Sequence, residues 1–265
     1  MAASDGGPLA GVTVLVTRPA GQTEGLAQRI ERAGGRVMRF PVLEILDPVD
    51  GGALLALIDR LDAFDLAIFI SPNAVNKAMN VIRARRALPP GLQVAAVGRG
   101  SAKALRHFGV ADVIAPSGKF DSEALLALPE LAEVHGRRIV IFRGDGGREL
   151  LSETLSARGA AVETAECYRR GRPQADTAPL LRAMARGELD VVTVTSVQGL
   201  RNLYDLVGKL GQQWLVKTPI VVVSERMAEA CRELGFKHAP IVAAEPGDDA
   251  ILAALEAWRA ARNSL

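Results

Sequence analysis

An internal repeat constrains the fold of this chain more than any other feature of its 265-residue sequence. Short apolar segments and the turns that follow them recur at an offset of about 125 residues. The matching pairs are Thr13–Arg18 with Ile139–Arg143, Ile70–Ser71 with Thr195–Ser196, and Val94–Gly98 with Ile220–Ser224. Because the offset is kept over most of the chain, the sequence contains two copies of one structural pattern.

The most informative copies are Phe64–Val75 and Asp190–Leu200, in which an aspartate precedes an apolar run, a serine and an amphipathic helix. The apolar runs are too short to span a membrane, so they predict buried parallel strands. Ser71 then takes the N-cap position with Pro72 at the first helical position, and Ser196 takes the same place in the other copy. Open parallel sheets bind ligands at the carboxyl ends of their strands, so we expect these two turns to face one another across a binding site.

Strands that alternate with helices predict an α/β fold with two parallel sheets covered on both faces. Two strand-like segments, 36–46 and 161–169, are too long for such a sheet, and Pro41 interrupts the first. We therefore expect two lobes, each with its own parallel sheet and the first discontinuous in sequence, joined by a two-stranded β linker that permits hinge motion. The expected boundaries are 9–39 with 174–262 for lobe one, 49–164 for lobe two, 40–48 and 165–173 for the bridging strands, and 1–8 for a disordered tail.

Three further predictions concern single elements. The segment Asp112–Ile114 is predicted to be a short strand, and Gln198–Leu210 a single helix. Tyr168 ends the apolar alternation of the second long segment, so we expect it at the bridge between the lobes rather than in a core.

Composition excludes several classes of protein. The net charge of +2 and the aromatic content of 4% argue against a nucleic-acid binder. Cys167 and Cys231 lack ligand spacing and the three histidines stand singly, which predicts no metal site, no covalent nucleophile and no organic cofactor. No signal peptide begins the chain and no apolar run approaches the ~20 residues of a membrane span, so we expect a soluble cytoplasmic protein that does not bind membranes.

Arginines follow several predicted strands, at the edge where ligands bind. Arg18, Arg99, Arg143 and Arg226 occupy such positions, and Thr17, Gly98, Ser101 and Gly144 lie beside them. The planar guanidinium suits carboxylates, although a solvated surface position is the alternative for each arginine. The glycine-rich segment Arg143–Arg148 favours an anion or a plain tight turn, and it lacks the lysine and hydroxyl of a nucleotide-binding P-loop.

Several segments together resemble the uroporphyrinogen-III synthase family. They are VTRPAGQTEGLAQRIERAGG with FPVLEI, FDLAIFISPNAV, VAAVGRGSAKAL, FRGDGGRELLSETLSARGAAV with ECYRR, and TSVQGLRNL. The resemblance implies two flavodoxin-like lobes and a cofactor-free reaction. In this reaction hydroxymethylbilane, a linear tetrapyrrole with eight carboxylates, closes to uroporphyrinogen III with loss of water and inversion of ring D. The small-molecule substrate is then the main partner, the enzymes before and after this step are further candidate partners, and a monomer is expected.

The resemblance also implies roles for individual residues. Tyr168 corresponds to the family tyrosine that assists departure of the hydroxyl group. Residues of the strand-end turns would bind the substrate carboxylates, namely Ser71, Asn73, Arg143, Gly144, Ser196, Val197 and Gln198. The segment Ser224–Met227 departs from a glycine-proline-threonine-type turn, so Ser224 or Arg226 takes the place of the family threonine. The alternative to an enzyme is a non-catalytic two-lobed protein that binds a small polyanion such as a linear tetrapyrrole.

Overall fold

The computed structural model describes residues 6–118, 121–146 and 149–263. The chain forms two compact units, the first built from 1–44 with 171–265 and the second from 45–170. The second unit is therefore continuous in sequence, whereas the first is assembled from both ends of the chain. Of the tail 1–8 that was expected to be disordered, 1–5 lie outside the described residues. Residues 6–8 form turns that lead into the buried Leu9.

The strands, in chain order, are β1 (Thr13–Val16), β2 (Arg36–Arg39), β3 (Glu44–Leu46), β4 (Leu66–Phe69), β5 (Gln93–Ala96), β6 (Arg138–Gly144), β7 (Ala161–Gly171), β8 (Val191–Thr193), β9 (Ile220–Val222) and β10 (Ile241–Val242). The helices are α1 (Glu24–Arg32), α2 (Gly51–Asp59), α3 (Pro72–Arg85), α4 (Arg99–His107), α5 (Ser122–Leu126), α6 (Pro129–Ala132), α7 (Leu150–Ala157), α8 (Ala178–Ala185), α9 (Val197–Leu206), α10 (Gly208–Leu215), α11 (Glu225–Glu233) and α12 (Asp248–Asn263).

Each unit contains one five-stranded sheet. The order is β10-β9-β8-β1-β2 in the first unit and β3-β7-β6-β4-β5 in the second. The neighbouring strands whose register is resolved pair in parallel, from β1 with β2 to β8 with β9. In the second unit Ile114 adds an isolated parallel bridge beside β5. The prediction of an α/β fold with parallel sheets is confirmed.

The sequence repeat has a direct counterpart in the strand order. Reading from one edge, β10, β9, β8, β1 and β2 correspond to Ile114, β5, β4, β6 and β7 at the repeat offset. Each unit thus combines the first part of one repeat with the second part of the other. The outer strand β3 has no counterpart among the described residues of the first sheet and follows the Pro41 break that the sequence predicted.

Apolar side chains fill both faces of each sheet. In the second unit Phe69 stacks on Phe142 with ring centroids 4.7 Å apart, and both rings are fully buried. In the first unit Val14, Leu15 and Val16 of β1 are fully buried between helices. Continuous burial of this kind is expected for parallel strands with helices on both faces, because neither face meets water.

Two predictions of single elements are wrong. The segment Asp112–Ile114 is not a strand, since only Ile114 pairs with Ala95. The predicted helix Gln198–Leu210 is divided into α9 and α10 at Gly208, whose φ of +64° belongs to the left-handed region that ends helices. No helix of the described residues is long and apolar enough to cross a membrane.

Candidate active site

In the second unit, the turn after β4 provides a capped helix N-terminus. Ser71 has extended backbone angles (φ −155°, ψ 158°), and its Oγ accepts a hydrogen bond from the N–H of Ala74 at 3.1 Å. Pro72 occupies the first helical position, as predicted. The N-terminus of α4 lies alongside, because a Cβ atom built on Gly100 would stand 3.1 Å from Cγ of Pro72. Two helix dipoles therefore present their positive ends at one edge of the sheet, which favours anions.

The strand β7 contains a register shift that determines where Tyr168 points. Arg143 pairs with Glu166, whereas the next residue of β6, Gly144, pairs with Tyr168, so that Cys167 is an extra residue on β7. Cys167 and Tyr168 are consecutive and both are 1% exposed. A β-bulge of this kind interrupts the alternation of faces along a strand. The prediction that Tyr168 lies outside a core is therefore wrong: it belongs to the buried cluster of the second unit.

The hydroxyl group of Tyr168 has two polar neighbours. Its Oη lies 3.1 Å from Oγ of Ser71, and Nη2 of Arg170 donates to it at 3.5 Å. The guanidinium of Arg170 also stands 5.9 Å from the centroid of the tyrosine ring. Ser71, Gly144 and Tyr168 are thus brought together by β4, β6 and β7, and Arg170 joins them although sequence reasoning had not singled it out.

The guanidinium of Arg143 is held within its own turn. Nη1 donates to both carboxylate oxygens of Glu149 at 2.9 and 3.0 Å, and Nη2 donates to the carbonyl of Gly146 at 2.7 Å. The arginine is 6% exposed, and its Nε is a buried atom without a hydrogen-bond partner in the described residues. Arg143 therefore shapes the turn and does not take the solvated surface position that was the alternative, while its binding of a substrate carboxylate stays a prediction.

Glu149 is the acidic partner in this turn. A hydrogen bond from the Ser152 hydroxyl and the interaction with Arg143 lower the pKa of the Glu149 carboxyl below its ordinary value. The negative form is therefore favoured in the folded protein. Glu149 was not among the predicted residues, although its position six residues after Arg143 in the sequence was available as a signal.

The first unit has an equivalent serine cap. Ser196, with φ −154° and ψ 149°, accepts from the N–H of Gly199 at 3.0 Å and begins α9. Val197 and Gln198 form its first turn, with Gln198 exposed. Thr17 is buried and donates to the carbonyl of Thr193 at 2.8 Å, which ties the ends of β1 and β8 together. Residues after β1 and β8 therefore share one sheet edge.

The remaining candidates differ in how accessible they are. Arg18 forms an ion pair with Asp248, so its guanidinium is engaged within the first unit. Ser224 and Arg226 are exposed at the start of α11, whereas Met227 is buried in the core. Gly98 is the N-cap of α4, Arg99 is exposed in its first turn, and Ser101 is buried. Asn73 is half-buried in the first turn of α3.

Comparison with known proteins decides the family. The model of the family described as uroporphyrinogen-III synthase HemD matches residues 24–253. This chain belongs to the uroporphyrinogen-III synthase family. Among its curated relatives, the uroporphyrinogen-III synthase of Salmonella typhimurium is 39% identical over 92% of this chain and 100% of the relative. The synthase of Escherichia coli K12 is 36% identical over the same shares of the two chains.

Solved structures of uroporphyrinogen-III synthases share the fold. A mutant form of the Thermus thermophilus enzyme superposes with a TM-score of 0.63, at 21% identity over 96% of this chain and 100% of that chain. The Helicobacter pylori enzyme gives a TM-score of 0.57, at 16% identity over 91% of this chain and 97% of that chain. The recognition of the family from sequence segments is therefore confirmed.

Proposed function

We propose that this protein cyclises hydroxymethylbilane to uroporphyrinogen III in tetrapyrrole (haem) biosynthesis, with loss of water and inversion of ring D. The observation that carries the proposal is the match to the synthase family over residues 24–253. Relatives matched over their full length agree with it, because no part of a synthase is missing from the alignment. The reaction makes the protein a lyase that acts on a small molecule.

Strand-end turns bind the eight carboxylates of the substrate in this proposal. Backbone N–H groups are available at the sheet edges in the capped helices that begin after Ser71 and Ser196. The N-terminus of α4, which adjoins the first of these helices, offers further N–H groups. An anion at an exposed helix N-terminus is stabilised by roughly 0.3–1 kcal/mol. Eight such interactions are strong together and weak singly, so loss of one contact is tolerated. Exposed Arg99, Gln198, Ser224 and Arg226 supplement the backbone groups.

Tyr168 is the proposed proton donor. When the bond from carbon to the terminal hydroxyl breaks, the oxygen keeps the electron pair, takes the phenolic proton and leaves as water. The substrate becomes a cationic azafulvene, and Tyr168 becomes a phenolate. Ser71 and Arg170 can each donate a hydrogen bond to the phenolate oxygen, which stabilises the negative charge that forms there. Ring closure then releases a proton that restores the phenol.

The test is an isomer assay. The protein is incubated with hydroxymethylbilane without added metal or nucleotide, and the products are separated by chromatography. We expect type III uroporphyrinogen in excess of the type I isomer that forms by spontaneous closure. Product of type I alone would contradict the proposal, and tight binding of the tetrapyrrole without type III product would support the non-catalytic alternative.

A conservative substitution tests the tyrosine separately. Tyr168→Phe keeps the ring and removes the donated proton, so turnover should fall by roughly 10²-fold, the lower end of general-acid contributions. Ser71→Ala and Arg143→Ala should reduce turnover less, because neither group gives the proton. Tyr204→Phe is the matched control, since Tyr204 is the second tyrosine of the chain and lies on α9 in the first unit. Full activity of Tyr168→Phe would remove the proposed role.

The working environment follows from the same proposal. We place the protein in the cytoplasm as a monomer, where hydroxymethylbilane reaches it from the preceding enzyme and its product passes to the next one.

A further inference from the structure

The side chain of Tyr168 reaches the core because of a single extra residue. Along β7, Glu166 is exposed, and the pairing of β6 with β7 is regular up to Arg143 opposite Glu166. If the regular pairing continued past Arg143, Cys167 would oppose Gly144, and the ring of Tyr168 would lie on the opposite face of β7. A shift of one residue turns every following side chain to the other face of a strand. The bulge therefore selects the face on which the hydroxyl lies.

Gly144 provides the space for the ring. A Cβ atom at this position would lie 2.5 Å from Cζ, 2.7 Å from Cε2 and 3.0 Å from Cε1 of Tyr168. Gly144 is not among the glycines with positive φ in the described residues, so an alanine there is compatible with the backbone. A side chain at Gly144 would therefore be unfavourable because it clashes with the ring of Tyr168, and not because of backbone strain.

Asp145 fixes the backbone around the bulge. Its N–H donates to the carbonyl of Tyr168 at 2.9 Å, and its Oδ1 accepts from the N–H of Arg170 at 3.0 Å. These two hydrogen bonds fix the backbone positions of Tyr168 and Arg170 relative to Asp145. Asp145 is exposed, so its side chain can be changed without opening the core.

We propose that Gly144 and Asp145, together with the bulge at Cys167, position the hydroxyl of Tyr168 for proton transfer. Neither residue reacts, and each acts through the tyrosine. The inference rests on the proposed function, because it assigns the bulge to the step in which Tyr168 gives its proton. Bulges beside active sites commonly redirect one side chain in this way.

Gly144→Ala tests the proposal. The ring must move by about 0.9 Å to restore the 3.4 Å at which ordinary contact begins. A misplacement of about 1 Å can lower a rate by 10²-fold, so we expect kcat to fall by about 10- to 100-fold while KM changes less than threefold. Gly211→Ala is the matched control, because its Cβ would meet Val207 at 2.6 Å and Leu181 at 2.7 Å in the first unit. It should lower stability and leave kcat unchanged.

The Tyr168→Phe background separates positioning from general damage. The ring remains there, so Gly144→Ala should still lower the melting temperature, whereas its effect on kcat should disappear because the hydroxyl is gone. An equal loss of kcat in both backgrounds, or wild-type kcat for Gly144→Ala alone, would overturn the proposal.

A second variant serves if Gly144→Ala does not fold. Asp145→Ala removes the acceptor for the Arg170 N–H and should lower kcat by about 10-fold in the wild type and not in Tyr168→Phe. Asp145→Asn keeps a side-chain oxygen at the same place and should restore most of the activity. Loss of activity in Asp145→Asn equal to that in Asp145→Ala would contradict a positioning role.

A spectroscopic measurement is independent of the reaction. The chain has two tyrosines, so labelling with 3-fluorotyrosine gives two ¹⁹F resonances, which Tyr204→Phe assigns. Gly144→Ala should shift the Tyr168 resonance and leave that of Tyr204 in place. If the shift appears but the wild-type protein makes no type III product, the proposed function fails and the geometry of the bulge stands. An unmoved Tyr168 resonance would refute the positioning inference itself.

Discussion

Among the described residues, the hydroxyl of Ser71 makes two hydrogen bonds, whereas that of its counterpart Ser196 makes one. Both serines cap a helix in nearly the same conformation, with φ values of −155° and −154° and cap distances of 3.1 and 3.0 Å. Ser71 also bonds the hydroxyl of buried Tyr168 at 3.1 Å. The repeat thus provides a matched pair in which replacing serine by alanine isolates the tyrosine contact.

The expected loss of unfolding free energy follows from the hydrogen bonds that each substitution removes. Loss of a serine N-cap costs about 1 kcal/mol of unfolding free energy, and loss of one hydrogen bond between hydroxyl groups costs about 1 kcal/mol more. Ser71→Ala should therefore destabilise by about 2 kcal/mol and Ser196→Ala by about 1 kcal/mol. In the Tyr168→Phe background the cost of Ser71→Ala should fall to about 1 kcal/mol, because the second bond is already absent.

Urea unfolding measures these differences. Trp214 and Trp258 both lie in the first unit, so tryptophan fluorescence follows that unit, while circular dichroism follows both. Ser196→Ala should shift the fluorescence transition, and Ser71→Ala should appear in the dichroism. Equal losses for the two variants would refute the reasoning, as would a cost of Ser71→Ala that is unchanged in Tyr168→Phe.

Two further predictions concern ionisation. Burial raises the pKa of the Cys167 thiol to about 12 and that of Cys231 to about 11. Neither thiol should therefore react with Ellman's reagent in the native protein at pH 8, and both should react at once in denaturant. Rapid reaction of either thiol in the native protein would contradict this. The folded pKa of Glu149 is lowered, so its contribution to stability is present above its ordinary pKa and is lost as the pH falls through the folded value. Glu149→Gln should therefore flatten the acid limb of a plot of melting temperature against pH, and an unchanged slope would count against the ion pair with Arg143.

Local chemistry made much of the fold predictable. Apolar runs such as Leu66–Phe69 have few alternatives to a buried strand when turn residues bound them, and Ser71 with Pro72 specifies a helix start. Pro41 correctly indicated that the first long segment divides into β2 and β3. The helix predicted over Gln198–Leu210 was divided because Gly208 adopts a left-handed conformation, which its sequence alone did not demand.

The position of Tyr168 could not be read from the sequence. The bulge at Cys167 depends on how β6 pairs with β7, and that register is a property of two segments separated along the chain. Ordinary alternation gives no sign of an extra residue. Sequence placed Tyr168 near the site by resemblance, whereas the structure supplies its burial and its bond to Ser71.

The arginines illustrate a different difficulty. Arg18 and Arg143 lie at the predicted strand ends, and the charge of each is engaged by an acid of the same unit. Glu149 is near Arg143 in sequence, but Asp248 is 230 residues from Arg18 and could not have been paired with it by inspection. A sequence pattern predicts that an arginine lies at a strand end, whereas the acidic residue that pairs with it becomes known only from the fold.

The exchange of repeat halves between the two sheets has a consequence for synthesis on the ribosome. β1 lies between β2 and β8, and the N–H of Asp190 bonds Thr13 across 177 residues of chain. At about 5–20 residues per second, β1 waits roughly 9–35 s for β8 to be made, while the continuous segment 45–170 can close its sheet earlier. The nascent amino-terminal strands are thus the part of this protein that most needs protection by chaperones before translation ends.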